Sequence, residues 1–571
     1  MYILSSGNPV PSDIENDVLS AEEAGRLERD KFVSERLQKK GNEQGKDFFD
    51  KVKKLKLKSM EKVNKKVKLT TTQGNVIKFQ EQGDVAFQIL VKSQLVSQPI
   101  DIEELMTYSI TPIPHCLGTP DGYMAKTNKA ASVHYLTCEV SDAELPSASS
   151  GETLFIEDGN AHFHTLKDLP ATFKGICLKL LDQLSRKPDV VFSTDMYVEN
   201  SIKSQERQRR GSSAKIILEG INTRKPSDFK VFLQNDENNK QLCKLMLRIW
   251  GCPEAARRLQ GRKVILVVEG VSFQLSSSDG QSVQQEEIPH LRSNQEETDT
   301  RVVLYLLYAK EHGYKQSVVH SPDSDIFFIL LHFAQKLRPL IIYFDTGSGA
   351  NRRLWKFSDI AEDLGPRYCQ SLLGIYCFTG EDCNCAFKGK GKKTPLKKLE
   401  KKPRYQECFA ELGDSWEVSD RLVTKLEEFV CFLYGFPRVK EVNTVRTLML
   451  RKMVGESGAI RSSSKVDLSK LPPCKQSLVP HIKRANYRAA QWKKADIPIQ
   501  EIPPPTEHGW TKCEDYIEPV WSEGPVLPSC LEDILLEITA EEETSDGEDT
   551  DSAEDDLNES DCSGLDDYES D

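Results

Sequence analysis

The stretch SVVHSPDSDIFFILLHFAQKLRPLIIYFD (317–345) reads as an apolar strand, an aspartate-bearing turn, an apolar helix and a second apolar strand. A strand followed by a helix and another strand is the unit of a parallel sheet. Working outward, the same alternation fills residues 151–345. TLFIED (153–158) precedes a helical pattern near 171–186 and the strand DVVFSTD (189–195), and KVILVVEG (263–270) precedes a helical pattern near 297–311. The fold class read from this is α/β, a mainly parallel sheet flanked by helices.

The chain has 571 residues, too many for one compact core, which predicts several folding units. Its net charge of −12 is unevenly spread, because residues 531–571 hold 19 acidic residues and no basic one. The first 530 residues carry 69 acidic and 76 basic residues, a mildly basic body suited to an anionic partner. Fifteen scattered cysteines suggest reduced thiols and an intracellular protein, without a disulfide framework or a cysteine-based zinc module. No run approaches the roughly 18 apolar residues of a membrane span, so no membrane partner is expected. KKTPLKKLEKKPR (392–404) can serve as a nuclear address, which places the chain in the nucleus before the cytoplasm.

Composition divides the chain into six segments. Residues 1–45 are polar with a short charged helix, and 46–150 are a basic helix and an N-terminal extension. Residues 151–357 are the α/β core, and 358–455 are helical. A linker, a helix near 476–493 and an extended stretch fill 456–536, and 537–571 form a disordered acidic tail. Ten of the 23 residues from 46 to 68 are lysine. They read either as a solvated amphipathic helix or as a phosphate-binding arm. The tail can engage a basic protein partner or mask the lysine-rich surface.

The informative feature is where carboxylates fall. Three strands end in aspartate: Asp158, Asp195, and the pair Asp323 and Asp325. Glu296, Glu297 and Asp299 lie at the start of a helix, and Asp382 follows the apolar run SLLGIYCFTGE (371–381). Singly, each is an ordinary turn residue, helix cap or dipole partner. Jointly, a parallel sheet gathers them at the carboxyl edge of its strands. Two carboxylates about 4 Å apart repel by roughly 4 kcal/mol at an effective dielectric near 20, so such a cluster takes up protons or cations. Oxygen-only donors select Mg²⁺ or Mn²⁺ over zinc, and two such ions are the usual device for phosphodiester hydrolysis.

In this order the motifs resemble the flap endonuclease/XPG-type 5′ nuclease superfamily, which has a PIN-like fold, and within it a divergent animal branch. FIEDG (155–159) resembles the strand that supplies the first metal-binding aspartate, implying Asp158. VVFSTDMYVENSIKSQERQRR (190–210) resembles the second-aspartate strand and its basic arch, implying Asp195 as ligand, with Arg207 and Arg210 on phosphate. NQEETDTRVVLY (294–305) is similar to the Glu-x-Glu helix start, implying Glu297 and Asp299, with aspartate in place of the second glutamate. HSPDSDIFFILL (320–331) is similar to the Asp-x-Asp motif, implying Asp323 and Asp325. LLGIYCFTGEDCNCAFKGKGKKTPLKKL (372–399) resembles a helix–two-turn–helix, implying Asp382 as ligand and Gly389, Lys390, Gly391, Lys392 and Lys393 as the grip on a DNA backbone. The resemblance implies a two-metal, Mg²⁺- or Mn²⁺-dependent, structure-selective nuclease acting on DNA, with RNA as the other substrate. The alternative is a catalytically inactive nucleic-acid-binding or scaffolding protein that keeps the fold.

Other candidates read as structural. His162 and His164 follow Asp158 without a second His or Cys pair at metal-binding spacing, and a helix or strand face is their expected home. Cys383 and Cys385 are not spaced as a redox pair and are expected as free thiols.

Overall fold

A computed structural model of the chain describes residues 19–36, 67–70, 76–79, 101–119, 122–146, 151–198, 201–209, 213–454, 467–513 and 516–528. Arg210, residues 46–66 of the basic run and the acidic tail lie outside the described residues. Two compact units are present, Met1–Val91 with Ile460–Lys465, and Lys92–Ala459 with Val466–Asp571. In the first, residues Ala21–Arg36 form the expected charged helix, and β1 (Val67–Thr70) pairs antiparallel with β2 (Val76–Phe79). Val67 and Lys68, read as the end of a basic helix, are therefore strand.

The second unit is built on an eight-stranded sheet. Its strands are β3 (Thr153–Asp158), β4 (Asp189–Ser193), β5 (Lys263–Val268), β6 (Val271–Ser276), β7 (Gln284–Glu287), β8 (Gln316–His320), β9 (Ile341–Thr346) and β10 (Arg353–Lys356), in the spatial order β10-β9-β8-β3-β4-β5-β6-β7. The five central strands β9, β8, β3, β4 and β5 run parallel, and antiparallel strands close both sides. The strands have continuous apolar runs because both faces are covered. Leu154 and Ile156 enter one core, with the helices Thr298–Glu311 and Ser324–Leu337, while Phe155 enters the other, with Phe173–Leu184 and Asp236–Trp250. This period of two fixes the register, since a one-residue slip would exchange the two cores.

The helical patterns near 171–186, 297–311 and 476–493 appear as Phe173–Leu184, Thr298–Glu311 and Lys475–Lys493. Beyond the sheet, helices Phe357–Leu364, Pro366–Phe378, Lys393–Glu400, Pro403–Glu411, Asp420–Leu433 and Val442–Val454 extend the larger core. EIPPPTEHGW, read as extended surface chain, contains a 3-10 turn and ends in the buried Trp510 of β11 (Trp510–Cys513), which pairs with β12 (Tyr516–Pro519). Among the described residues, no helix is long and apolar enough to cross a membrane.

Candidate metal centre

The carboxyl ends of the parallel strands converge as the sheet geometry requires. Asp158 ends β3, Asp195 follows β4 by two residues, and Asp323 and Asp325 stand where β8 turns into the Ser324–Leu337 helix. Asp158 accepts from the Ala161 amide at 3.0 Å through one oxygen and from the Ser321 hydroxyl at 3.0 Å through the other. Asp323 accepts from the Asp325 amide at 2.9 Å. Both residues thus cap helices while also joining a cluster. Gly159 is needed beside Asp158, because a Cβ there would stand 2.6 Å from the Ser193 carbonyl oxygen.

Asp158, Asp195, Glu297, Asp299, Asp323 and Asp382 line one cavity of about 730 Å³, together with Lys129, Lys203 and Arg207. Asp325 sits behind them, fully buried, and receives the Tyr376 hydroxyl at 2.5 Å. Oxygens of Asp299, Asp323 and Asp325 lie within 4.8 Å of one another. Asp195 accepts from the Thr298 amide at 2.8 Å, which ties the end of β4 to the helix that carries Asp299. Asp382 is delivered by the turn after Pro366–Phe378, where Gly380 adopts a φ of +105° and a Cβ would meet Ala386 at 2.8 Å. Seven acidic residues from five separated segments therefore meet at one sheet edge.

Three cationic side chains not singled out from the sequence enter this cluster. Lys129, just before the Ala130–Leu136 helix, places its ammonium 2.9 Å from Asp382 Oδ1, 3.0 Å from Asp325 Oδ1 and 3.8 Å from Asp323 Oδ1. Lys203, on the Ile202–Arg209 helix, lies 2.9 Å from Asp382 Oδ2 and 3.2 Å from Glu297 Oε1. Arg488, on the Lys475–Lys493 helix, lies 3.5 Å from Glu297 Oε2 and 3.5 Å from Glu381 Oε1. The segment carrying Lys129 is strapped to the Asp382 turn, because Ala386 donates to the Ala125 carbonyl at 2.8 Å and Lys388 to that of Cys116 at 2.9 Å. Part of the N-terminal extension thus belongs to the site.

The cations divide the carboxylates into two groups. Burial opposes ionisation of Asp382, but Lys203 and Lys129 outweigh it and hold Asp382 below the usual carboxylate range. Glu297 is also lowered, burial being outweighed by Lys203 and Arg488. On the other side, burial and then Asp195 push Asp158 up to about 6, and burial and then Asp325 push Asp323 up to about 7. Burial, with Asp323 and Glu297, also raises Asp299 well above the ordinary range. These residues form an oxygen-rich pocket in which burial and mutual repulsion outweigh the nearby ammonium groups, and an all-carboxylate donor set fits a hard divalent ion.

A pH dependence follows. From about pH 4 the folded metal-free protein keeps a proton that the unfolded chain has released, up to about 6 on Asp158 and about 7 on Asp323. That stability is full below the ordinary value of 3.8 and is lost as pH rises through 6 to 7. In EDTA the thermal midpoint should be higher at pH 5 than at pH 8, and Mn²⁺ at pH 8 should restore it. Equal midpoints in EDTA at the two pH values would contradict the cluster.

The expected nucleic-acid residues separate. Arg207 lines the cavity but is held by Glu296 at 2.5 Å and Asp236 at 3.1 Å. Glu296 is therefore turned toward the Ile202–Arg209 helix, where it also accepts from the Ser201 hydroxyl at 2.9 Å. Gly389, Gly391 and Lys393 are exposed, and Gly389 takes a left-handed turn with a φ of +71°. Lys390 is half-buried with its ammonium 4.5 Å from the Tyr434 ring centroid. Lys392 departs from its expected role as a surface contact to phosphate. It is 2% exposed and donates to the Tyr376 carbonyl at 2.5 Å and the Thr379 hydroxyl at 3.2 Å. Burial lowers its pKa to about 7. Its alternation with exposed neighbours in a turn put it inward, under the tyrosine that holds Asp325. Cys383 and Cys385 are buried free thiols beside the Asp382 turn. His162 was read as structural, but it stands beside Glu157 and His320 in a second group of possible metal ligands.

No protein-family model matches the chain, and no curated protein matches it. Among solved structures it is similar to that described as "T5 D15 Protein Co-crystallized with Metal Ions", at 10% identity and a TM-score of 0.26, over 60% of this chain and 99% of that one.

Proposed function

We propose that this chain is a divalent-metal-dependent nuclease of the PIN-like 5′-nuclease class that hydrolyses phosphodiester bonds in DNA and selects its substrate by structure. The observation that carries this reading is the convergence of carboxylates from five segments beside Lys203 and Arg207 in one cavity. Asp158, Asp195, Glu297, Asp299, Asp323, Asp325 and Asp382 would hold two Mg²⁺ or Mn²⁺ ions, which when bound would supply water activation and charge neutralisation at the phosphate. Asp158 and Asp323 give up their protons as they take on that role. Lys203 and Lys129, now paired with Asp382, stand ready to face the anionic phosphate instead. Tyr376 and Lys392 steady Asp325 from behind.

The test is cleavage of flap, nicked, looped and single-stranded DNA, with matched RNAs, in Mg²⁺, Mn²⁺ or EDTA. Cation-dependent cutting of at least one branched DNA is expected, and no cutting of any substrate would remove the proposal. The exposed Lys388 and Lys393 would follow the duplex backbone. Their joint replacement by glutamate should weaken duplex affinity at least tenfold and flatten the slope of log affinity against log salt by about 1.8, at roughly 0.9 per phosphate contact. An unchanged slope in a titration at three salt concentrations would place the DNA elsewhere.

A second reading, a nucleic-acid-binding scaffold without chemistry, is favoured by the ammonium groups of Lys129 and Lys203 already lying among the acids. Such a protein would gain no thermal stability from Mn²⁺, whereas the nuclease would. The acidic tail would serve a basic partner or screen the lysines, and a nuclear location would suit a DNA substrate.

A further inference from the structure

Asp158 and Glu157 are neighbours on β3, and strand alternation sends their side chains to opposite faces of the sheet. Glu157 is 1% exposed, yet it is surrounded by polar groups from three other segments. Its Oε1 accepts from Lys187. Its Oε2 lies 2.8 Å from His320 Nδ1 at the end of β8 and 3.5 Å from His162 Nδ1 on the Gly159–Thr165 helix.

His162 is the informative member. Its Nε2 stands 3.2 Å from the Gln183 side-chain oxygen, which can only accept, so the ring proton belongs on Nε2. Nδ1 then presents a lone pair, and this atom is buried without a hydrogen-bond partner. In the neutral ring Nδ1 and Glu157 Oε2 thus face each other as two electron-pair donors, an arrangement that a shared cation, a proton or a metal ion, stabilises. Their 3.5 Å separation is too long for a good hydrogen bond. It suits two ligands of one tetrahedral ion, whose edge is about 3.4 Å for bonds of roughly 2.0–2.2 Å, whereas the 2.8 Å between Glu157 Oε2 and His320 Nδ1 is a hydrogen bond that the ion would replace.

We propose that Glu157, His162 and His320 bind one zinc-class divalent transition-metal ion, at a site distinct from the acidic centre and independent of any nuclease activity. The three ligand atoms lie within 4.8 Å of one another, and Glu157 with two imidazoles is a donor set that suits zinc where the oxygen-only centre suits magnesium. Gln183 fixes the His162 tautomer and Lys187 steadies the other carboxylate oxygen, as partners of metal ligands usually do. His320, with 30% of its side chain exposed, gives the ion a path from solvent and leaves a fourth position for water. The ion would clamp β3, β8 and the helix after Asp158, so it would also hold the frame on which the acidic centre is mounted.

The test is titration of chelator-stripped full-length protein with Co²⁺ alone, read by visible absorption, followed by displacement with Zn²⁺. One equivalent should give an intense tetrahedral spectrum that Zn²⁺ abolishes. His162→Gln and His320→Gln should each weaken binding at least a hundredfold, and Gln183→Ala by about 10- to 100-fold. Asp323→Asn with Asp325→Asn should leave this spectrum intact. If circular dichroism shows that His162→Gln does not fold, the more exposed His320→Gln carries the result. Absence of the spectrum in the unaltered protein, its survival in His320→Gln, or its loss in the double aspartate variant would each overturn the site.

Discussion

Asparagine at both Asp323 and Asp325 is expected to cut cation-dependent cleavage at least ~1,000-fold, about 4 kcal/mol of transition-state stabilisation, with duplex affinity almost unchanged. The two residues supply two of the three carboxylates whose oxygens lie within 4.8 Å, so their removal takes away most of the negative charge that attracts a cation there. Folding should survive. An asparagine oxygen at 323 can still cap the helix that begins at Ser324, and neutral amides relieve the repulsion that raises Asp299 and Asp323. The metal-free double variant should therefore unfold at a higher temperature than the parent in EDTA at pH 8. Cleavage at the parent rate, or loss of cleavage only through unfolding, would remove these residues from the site.

The second large effect concerns stability. Arg488 is 2% exposed, and its guanidinium is the nearest cation to Glu381 and one of two beside Glu297, both of them buried carboxylates. Arg488→Met keeps the aliphatic bulk against Trp492, whose ring centroid lies 5.0 Å from the guanidinium, but leaves those charges without their partner. Breaking a buried pair on one side typically costs about 3–5 kcal/mol. Equilibrium urea denaturation should show a loss of that size, and Glu381→Gln added to Arg488→Met should recover part of it. A loss below about 1 kcal/mol would mean that solvent, and not Arg488, compensates Glu381.

Local pattern revealed much of this architecture. The strands ending at Asp158, near Asp195 and before Asp323 were legible because both faces of each are buried, which gives unbroken apolar runs. Strand β7 was not legible, since QQEE is polar and exposed at a sheet edge. The acidic residues could be placed because sheet topology, more than contact detail, brings strand ends together. Their counter-charges could not. Lys129, Lys203 and Arg488 reach the cluster from distant segments, and nothing in a lysine or arginine codon's neighbourhood records which carboxylate it will meet. Lys392 shows the opposite case, in which a lysine-rich loop expected to grip a DNA backbone turns a single side chain inward onto Tyr376. His162 and His320 are far apart in the chain and in different elements, so spacing rules could not join them.

Arg488 follows Glu297 by nearly two hundred residues, and it is supplied by one of the last helices of the folded body. At translation rates of about 5–20 residues per second, roughly 10–40 s separate emergence of the acid from that of its partner. Once residue 382 has emerged, the nascent chain has all the strands of its eight-stranded sheet and the seven carboxylates but not the guanidinium that faces Glu297 and Glu381. A product that stops short of residue 488 would thus leave the ribosome without the guanidinium that faces Glu297 and Glu381, so assembly of the acidic centre waits on the Lys475–Lys493 helix.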